Sequence, residues 1–261
     1  MVLEEHRPTP EEILKKIRMI DPDETRVRQG RLKIFFGYAA GVGKTYAMLE
    51  MAHQMKDMGV DVVAGYIEPH IRPATMKLVE GLECLPLLVV SYKGITLREF
   101  DLDAALARKP QLILVDELAH SNAQGCRHVK RYQDIEELLR AGIDVYTTVN
   151  VQHLESLNDL VSSLTGVTVN ERIPDWVFDS ADQVEVVDVE PDDLIARLEE
   201  GKVYRAAQAQ QALGHFFSKQ NLAALREIAL RRTADRLNRT ARKQHPEGFL
   251  NPSDHILVCL S

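Results

Sequence analysis

The stretch Gly37-Tyr38-Ala39-Ala40-Gly41-Val42-Gly43-Lys44-Thr45 decides how this chain is interpreted. The apolar residues 32–36 before it predict a β-strand, and residues 46–58 after it predict a helix. Glycines between a strand and a helix let several backbone N–H groups face one phosphate chain, and the helix N-terminus adds partial positive charge. The stretch therefore predicts a phosphate-binding loop.

The loop departs at one position from the pattern G-x-x-x-x-G-K-[ST]. Tyr38 stands where the pattern has its first glycine, and Gly37 comes one residue early. The pattern predicts that Lys44 reaches the β- and γ-phosphates and that Thr45 ligates Mg²⁺. The alternative is a glycine-containing turn that binds nothing. The residues expected to contact nucleotide are Gly37, Ala40, Gly41, Val42, Gly43, Lys44, Thr45 and Tyr46.

Composition narrows the class of protein. The chain has 261 residues, of which 45% are hydrophobic and 27% charged, as in a soluble globular protein with one large or two small domains. A net charge of −7 argues against a general nucleic-acid binder, and no apolar run is long enough to span a membrane. Three widely spaced cysteines (Cys84, Cys126 and Cys259) indicate a reducing, cytoplasmic setting.

Strands and helices alternate through the middle of the chain, which predicts an α/β fold of the P-loop NTPase type. Its mostly parallel sheet would carry helices on both faces. Further strands are expected at 60–68, 87–91, 111–117, 143–149 and 183–189. Further helices are expected at 74–82, 102–108, 128–141 and 151–165.

The two ends of the chain differ from this middle part. Thr9, Pro10 and Glu12 form a helix start with a capping box, and a helix over 9–20 is expected. Beyond Pro191, helices are expected at 194–200, 206–217 and 221–243, and a strand at 254–260 stops with the chain. We therefore expect an N-terminal helix and linker (1–30), a nucleotide-binding domain (31–190), a helical segment (191–245) and the start of a truncated domain (246–261).

Residues 112–117, with sequence Leu-Ile-Leu-Val-Asp-Glu, supply a second half for the site. In a parallel sheet the carboxyl end of such a buried strand lies at the same edge as the phosphate loop. Asp116 would then hold Mg²⁺ through water, and Glu117 would activate an attacking water as the catalytic base. The alternative is a strand end that carries two solvated acids.

Other polar residues are candidates by position only. Glu68, His70 and Arg72 follow one predicted strand, and Asn150, Gln152 and His153 follow another. Asn150 or Gln152 would sense the γ-phosphate, and Arg72, Arg127 or Arg131 would neutralise phosphate charge. The alternative for each is an ordinary polar residue of a loop.

Two further groups have a structural alternative. His120, Cys126 and His128 are only three metal-ligand candidates, whereas structural zinc takes four ligands, so no structural metal is expected. The helix at 221–243 is basic, and is either packed with a solvated basic side or a docking surface for an acidic partner or anionic lipid. Its cations are Arg226, Arg231, Arg232, Arg236, Arg239, Arg242 and Lys243.

Several of these segments together resemble the KdpD family of bacterial sensor histidine kinases that respond to potassium and osmolarity. The resemblance is carried by residues 35–48, 114–122, 127–139, 148–158, 200–204 and 221–236. It implies that a glycine at the early position of Gly37 is an accepted variant of the loop. It also implies that residues 253–261 open a universal-stress-protein-like domain, followed by four membrane helices, a GAF-type domain and the histidine kinase core.

The function implied by this resemblance is regulatory. A Mg²⁺–ATP or ADP module would tune the kinase and phosphatase activities toward a partner response regulator of a two-component system that controls potassium uptake. The full-length protein would be a homodimer of the bacterial inner membrane, with this region in the cytoplasm, and none of the nine histidines here would be the phosphorylation site. Slow ATP hydrolysis is compatible with Glu117. The alternatives are a free-standing P-loop kinase or NTPase, or an interaction scaffold with a structural nucleotide site.

Overall fold

A six-stranded parallel sheet forms the centre of the computed structural model, which describes residues 28–68, 73–92, 94–200 and 216–244. The described strands are β1 Leu32–Gly37, β2 Val62–Tyr66, β3 Glu83–Cys84, β4 Leu88–Tyr92, β5 Ile95–Glu99, β6 Leu112–Val115, β7 Asp144–Asn150 and β8 Gln183–Val186. The sheet order is β3-β2-β6-β7-β1-β8, with every pairing parallel. The predicted α/β class with a mostly parallel sheet is confirmed.

Helices follow most of these strands. In the described residues they are α1 Lys44–Asp57, α2 Pro73–Lys77, α3 Leu102–Arg108, α4 Arg131–Arg140, α5 Asn158–Thr165, α6 Asp175–Asp179, α7 Pro191–Glu199 and α8 Lys219–Gln244. The predicted elements at 9–20 and 254–260, and most of the one at 206–217, lie outside the described residues, as do His70 and Arg72. Within the described residues no helix is both long and apolar enough to cross a membrane.

β1 lies between β7 and β8, and all six of its residues are buried. Side chains of a strand alternate between the two faces of a sheet. Phe35 packs with Met48, Leu49 and Ala52 of α1 on one face. Phe36 packs on the other face, where its ring centroid lies 4.7 Å from that of Phe178. Because apolar clusters cover both faces, the end of β1 and the loop that follows it stand on a rigid support.

The strand predicted at 87–91 does not join the central sheet. β4 pairs antiparallel with β5, and together they form a separate hairpin. Only two residues separate β4 from β5, whereas a parallel partner needs a crossover of about a dozen residues or more. No strand was predicted at β5, which ends at the buried Glu99.

The predicted helix at 151–165 is α-helical only over its second half. Two 3₁₀ turns, Val151–His153 and Glu155–Leu157, precede α5. The backbone N–H of Glu155 donates to the carbonyl of Ile173 at 3.1 Å, and the N–H of Ile173 donates to the carbonyl of His153 at 2.8 Å. These bonds to a distant segment hold the chain after β7 close to the sheet edge.

The basic helix α8 packs against the domain. Leu222, Leu225 and Ala229 are buried on its apolar face. Arg226 forms ion pairs with Asp188 at 2.6 Å and with Glu190 at 2.7 Å. Arginines of α8 also bind the segment of α6, as described below, so the arginines that face the domain have acidic or carbonyl partners, as the packed-helix alternative predicts.

Candidate functional site

The loop between β1 and α1 has the backbone that its glycines predict. Gly41 has a φ of 96° and Gly43 a φ of 109°, in the left-handed region that residues with a Cβ rarely adopt. α1 begins at the next residue, Lys44. Since the first N–H groups of a helix lack intrahelical partners, this geometry presents donors and partial positive charge at the carboxyl edge of the sheet.

Tyr38 and Gly37 explain the departure from the strict motif. A Cβ on Gly37 would lie 2.6 Å from Cγ2 of Val42, so the close approach of the loop requires glycine at position 37. The Tyr38 side chain is 1% exposed and lies in the core, where its hydroxyl donates to the carbonyl of Val189 at 2.8 Å. Tyr38 is thus a core residue, and its ring does not obstruct the loop.

Lys44 is oriented by two acceptors. Its Nζ donates to the carbonyl of Ala39 at 3.1 Å and to Oδ1 of Asn150, the last residue of β7. Lys44 is 8% exposed. The predicted partner Asn150 is therefore next to the lysine, at a position where both could contact the same terminal phosphate.

Asp116 lies beside Thr45, as the sequence predicts. The Asp116 carboxylate is 1% exposed and accepts the Thr45 hydroxyl at 3.1 Å, the Thr148 hydroxyl and the N–H of Glu117 at 3.1 Å. None of these three donors carries a charge. A buried carboxylate beside a threonine hydroxyl is an oxygen set that suits Mg²⁺, so these residues fit the predicted metal.

Glu117 stands next to Asp116 in an unusual backbone conformation, with a φ of 60°. Burial, together with the negative charges of Asp116 and Glu68, raises the pKa of Glu117 to about 7. Arg131 and His120 oppose this effect. A carboxylate whose pKa lies near neutrality is suited to accept a proton from water.

Arg131 is a buried residue that stabilises the site without lining the cleft. It is fully buried, and its guanidinium donates to the carbonyl of Asp116 at 3.0 Å and to Glu99 at 3.2 Å. The same group lies 3.9 Å from the centroid of the Tyr66 ring. These contacts fix the end of β6, and Arg131 does not line the cleft. Arg127 forms ion pairs with Asp103 and Glu137 and does not line it either.

The cleft in front of the loop collects most of the predicted residues. Its lining consists of Ala40, Gly41, Gly43, Lys44, Thr45, Asp116, Glu117, Ala119, His120, Thr148, Val149, Asn150, His153 and Glu171. Its volume of about 90 Å³ is well below the roughly 300–1,000 Å³ of a pocket that encloses a whole small molecule. The cleft is therefore too small to enclose a complete nucleotide.

Other predicted residues lie outside this lining. Val42 is buried in the core, and Tyr46 is 39% exposed on α1. Glu68 accepts the Tyr66 hydroxyl at 2.5 Å, and Gln152 precedes His153 without reaching the cleft. Gly37 acts through the close approach described above.

Five lining residues were not predicted as parts of a nucleotide site: Ala119, His120, Thr148, Val149 and Glu171. Thr148 holds Asp116 from the adjacent strand, and the strand pattern alone could have placed it near the carboxyl edge. The carbonyl of Glu171 pairs with Nδ1 of His153 at 2.8 Å, and burial lowers the pKa of His153. Glu171 follows no motif, so no sequence signal could have found it.

The metal-ligand candidates are separated. His120 bonds Glu99 at 3.0 Å, whereas His128 bonds Asp134 at 2.8 Å. Cys126 is partly buried and is a free thiol. In the described parts of the chain, no group of three or more His, Cys, Asp or Glu side chains is placed to hold a metal ion.

Comparison with known proteins bears on this arrangement. The sequence model of the family described as "KdpD: Osmosensitive K+ channel His kinase sensor domain" matches residues 28–237. This chain belongs to the KdpD family. The match spans the loop, the carboxylates and α8 up to residue 237, so the resemblance found in the sequence is confirmed.

Curated KdpD proteins align over nearly the whole chain. Sensor protein KdpD of Clostridium acetobutylicum is 58% identical over 258 residues, which is 97% of this chain and 28% of that protein. Sensor protein KdpD of Escherichia coli is 56% identical with the same coverage. The putative sensor protein KdpD of Synechocystis is 52% identical over 90% of this chain and 63% of its own length. The chain thus spans about 28% of the length of the first two relatives.

Proposed function

We propose that this KdpD module binds Mg²⁺–ATP at the cleft between the glycine loop and the ends of β6 and β7. One observation carries the proposal. Lys44, Thr45 and Asp116 meet at the mouth of a glycine loop, with the Thr45 hydroxyl 3.1 Å from the buried Asp116 carboxylate. A lysine, a threonine hydroxyl and a carboxylate in this arrangement are the groups that a nucleotide triphosphate and its Mg²⁺ require.

Each residue has a defined task in this proposal. Loop N–H groups and the start of α1 bind the phosphate oxygens, and Lys44 neutralises charge at the β- and γ-phosphates. Thr45 and Asp116 would hold Mg²⁺, which would supply neutralisation of the phosphate charge. Asn150 orients Lys44 and reads the terminal phosphate, since the Asn150 side chain already bonds the lysine.

A specific observation favours slow hydrolysis as a second activity. Glu117 lines the same cleft, and its pKa of about 7 leaves a substantial fraction ionised at neutral pH. Its position after the Mg²⁺-holding Asp116 would let it take a proton from a water aligned with the γ-phosphate.

At the level of the whole protein, we propose a regulatory role. Relatives of this chain are named sensor proteins, and the family description includes a histidine kinase sensor domain. The nucleotide state of the module would set the balance of kinase and phosphatase activity of a two-component receptor for potassium and osmotic conditions. Its partners would be the downstream domains of the receptor, a second copy in a homodimer and a cytoplasmic response regulator.

The test is an ATP titration of a Lys44→Ala variant in the presence of Mg²⁺. Loss of a charged donor to two phosphates should weaken binding roughly a hundredfold or more. Lys56→Ala is the matched control, because Lys56 is an exposed lysine at the other end of the same helix. ATP affinity that is equal in Lys44→Ala and Lys56→Ala would refute the assignment of the loop.

A further inference from the structure

The position of Arg197 on α7 indicates where the ribose and base of the proposed nucleotide would lie. We propose that the segment from Val187 to Arg197 forms a subsite for the nucleoside, with the Arg197 guanidinium against the face of the base. This inference rests on the phosphate site proposed above and extends it by one named contact. It concerns a part of the molecule to which no phosphate-loop motif assigns a role.

The cleft lies on one side of the loop only. β1 has two neighbours in the sheet, β7 and β8. Apart from the loop itself, every residue that lines the cleft comes from β6, β7 or the segments that follow them. Lys44 also points to that side, because its Nζ bonds Asn150 at the end of β7. The terminal phosphate and Mg²⁺ therefore belong on the β7 side of the loop.

The size of the cleft leaves the nucleoside to another part of the surface. With a volume of about 90 Å³, the cleft is too small to enclose the ribose and base as well as the phosphates. A phosphate chain that starts beside Asn150 and crosses the loop would leave it on the opposite side, beside the chain that follows β8. There, the position of a Cβ on Gly43 is 4.0 Å from Cγ1 of Val187, and the N–H of Val187 donates to the carbonyl of Phe36 at 2.8 Å. The chain after β8 thus forms a wall beside the loop.

The position and partners of Arg197 leave its guanidinium available to a ligand. Its Nη1 lies 3.5 Å from the carbonyl oxygen of Gly41, a long contact that places the guanidinium beside the loop. The side chain is half-buried, and among the described residues no carboxylate forms an ion pair with it. Arg226 of α8, by contrast, has two carboxylate partners.

The planar guanidinium of Arg197 is suited to stack on the aromatic base of a nucleotide. Guanidinium groups stack on aromatic faces and are weakly hydrated, so a partly buried arginine gains from contact with a π-system. Val187 and Val189, which are half-buried in the segment after β8, offer an apolar surface for the ribose and the edge of the base. The subsite therefore favours a nucleoside and adds affinity that a bare phosphate chain cannot gain.

The test compares ATP with inorganic tripolyphosphate, each titrated with Mg²⁺ into the 261-residue chain. Arg197→Ala should weaken ATP binding roughly three- to thirtyfold. Tripolyphosphate binding should stay within about twofold, because the phosphate contacts are intact. Arg197→Lys should show a smaller selective loss, since the charge remains and the plane is lost. Arg231→Ala, an exposed arginine of α8 that pairs with Glu227, is the matched control.

The possible outcomes separate the two proposals. Unchanged ATP affinity in Arg197→Ala, or an equal loss for both ligands, would overturn the nucleoside subsite; the second result would place Arg197 on a phosphate. A selective loss of ATP binding in Tyr46→Ala and not in Arg197→Ala would overturn it as well, by placing the base over α1. If the wild-type chain binds neither ligand, the phosphate site itself is refuted.

Discussion

The cleft and the contact of α8 with the domain both contain many charged side chains, but only those at α8 are mostly paired with opposite charges. Around α8, Arg232 is 6% exposed and donates to Asp179 at 2.7 Å, while Arg226 joins Asp188 and Glu190. In the cleft, the buried Asp116 carboxylate has only neutral donors among the described residues, and burial, together with the charges of Asp116 and Glu68, raises the pKa of Glu117. The arginines and carboxylates at α8 are paired with each other within the fold. In the part of the chain that the structure describes, Asp116 and Glu117 of the cleft have no such paired cation, which suits a site that binds a charged ligand.

The two regions meet at Tyr38. Its hydroxyl bonds the carbonyl of Val189, and the residues on both sides of Val189 pair with Arg226 of α8. The back of the glycine loop is therefore connected to α8 through one short segment. Substitutions on the cleft side should change ligand binding or turnover, and substitutions on the α8 side should change stability.

The largest expected effect is on turnover. Glu117→Gln removes the proposed base and should lower ATP hydrolysis by about two to four orders of magnitude, with ATP affinity nearly unchanged. The measurement is phosphate release under saturating Mg²⁺–ATP, with Glu155→Gln, an exposed residue beyond β7, as the control. Hydrolysis at the wild-type rate in Glu117→Gln would show that another group activates the water.

A change of Tyr38 to glycine separates the motif from the fold. Tyr38→Gly restores the strict loop pattern, yet it removes a fully buried aromatic ring and should lower the free energy of unfolding by about 4 kcal/mol. Urea denaturation measures this loss, and Tyr38→Phe, which lacks only the hydroxyl bonded to Val189, should lose about 1 kcal/mol. A gain in ATP affinity without loss of stability would contradict the core role of Tyr38.

On the α8 side, Arg232→Ala should lower the free energy of unfolding by about 2 kcal/mol. It removes a guanidinium that is 6% exposed, pairs with Asp175 and Asp179 and lies 4.8 Å from the centroid of the Phe178 ring, and among the described residues only Asp179 keeps another cation, Arg239. Arg231→Ala, one residue away and exposed, should cost less than about 0.5 kcal/mol. Equal denaturation midpoints of the two variants would contradict the stabilising role of Arg232. A loss of ATP binding in Arg232→Ala as large as that expected of Lys44→Ala would contradict the separation of the α8 side from the cleft.

The last prediction concerns the pH dependence of stability without nucleotide. Glu117 has a pKa of about 7 in the folded chain against an ordinary value of 4.5, so the folded state binds more protons between these pH values. Its contribution to stability is present below pH 4.5 and is lost as pH rises through 7. Wild-type chain should therefore lose stability relative to Glu117→Gln as the pH rises. A constant difference between their urea midpoints from pH 4.5 to 8 would contradict the raised pKa.

Much of the fold could be predicted because its signals are local. The glycine loop, the helix after it and the apolar strand before Asp116 each depend on short stretches whose spacing is visible in the sequence. The contact between Asn150 and Lys44 depends on the strand order, which the sequence does not show. Asn150 reaches Lys44 because β7 lies beside β1. The hairpin of β4 and β5 was missed, since a short apolar run does not reveal its pairing partner.

The supporting residues of the site could not be predicted, because their roles depend on contacts between distant segments. Arg131 was expected near phosphate and is instead bound to Glu99, to Tyr66 and to the backbone of Asp116. Tyr38 departs from the loop motif, and the reason, its burial in the core, is not visible in the sequence. For α8, the sequence shows many arginines but not which of them have acidic partners from residues 175–190.

The most direct test of the account is calorimetric titration of the chain with ATP, first with Mg²⁺ and then with EDTA, beside an Asp116→Asn variant. The account predicts that wild type binds ATP at least about tenfold more tightly with Mg²⁺. Asp116→Asn should lose that difference while it keeps the weaker binding measured in EDTA. No binding of ATP by the wild-type chain, or a Mg²⁺ effect that survives in Asp116→Asn, would contradict the assignment of a Mg²⁺–nucleotide site to this cleft.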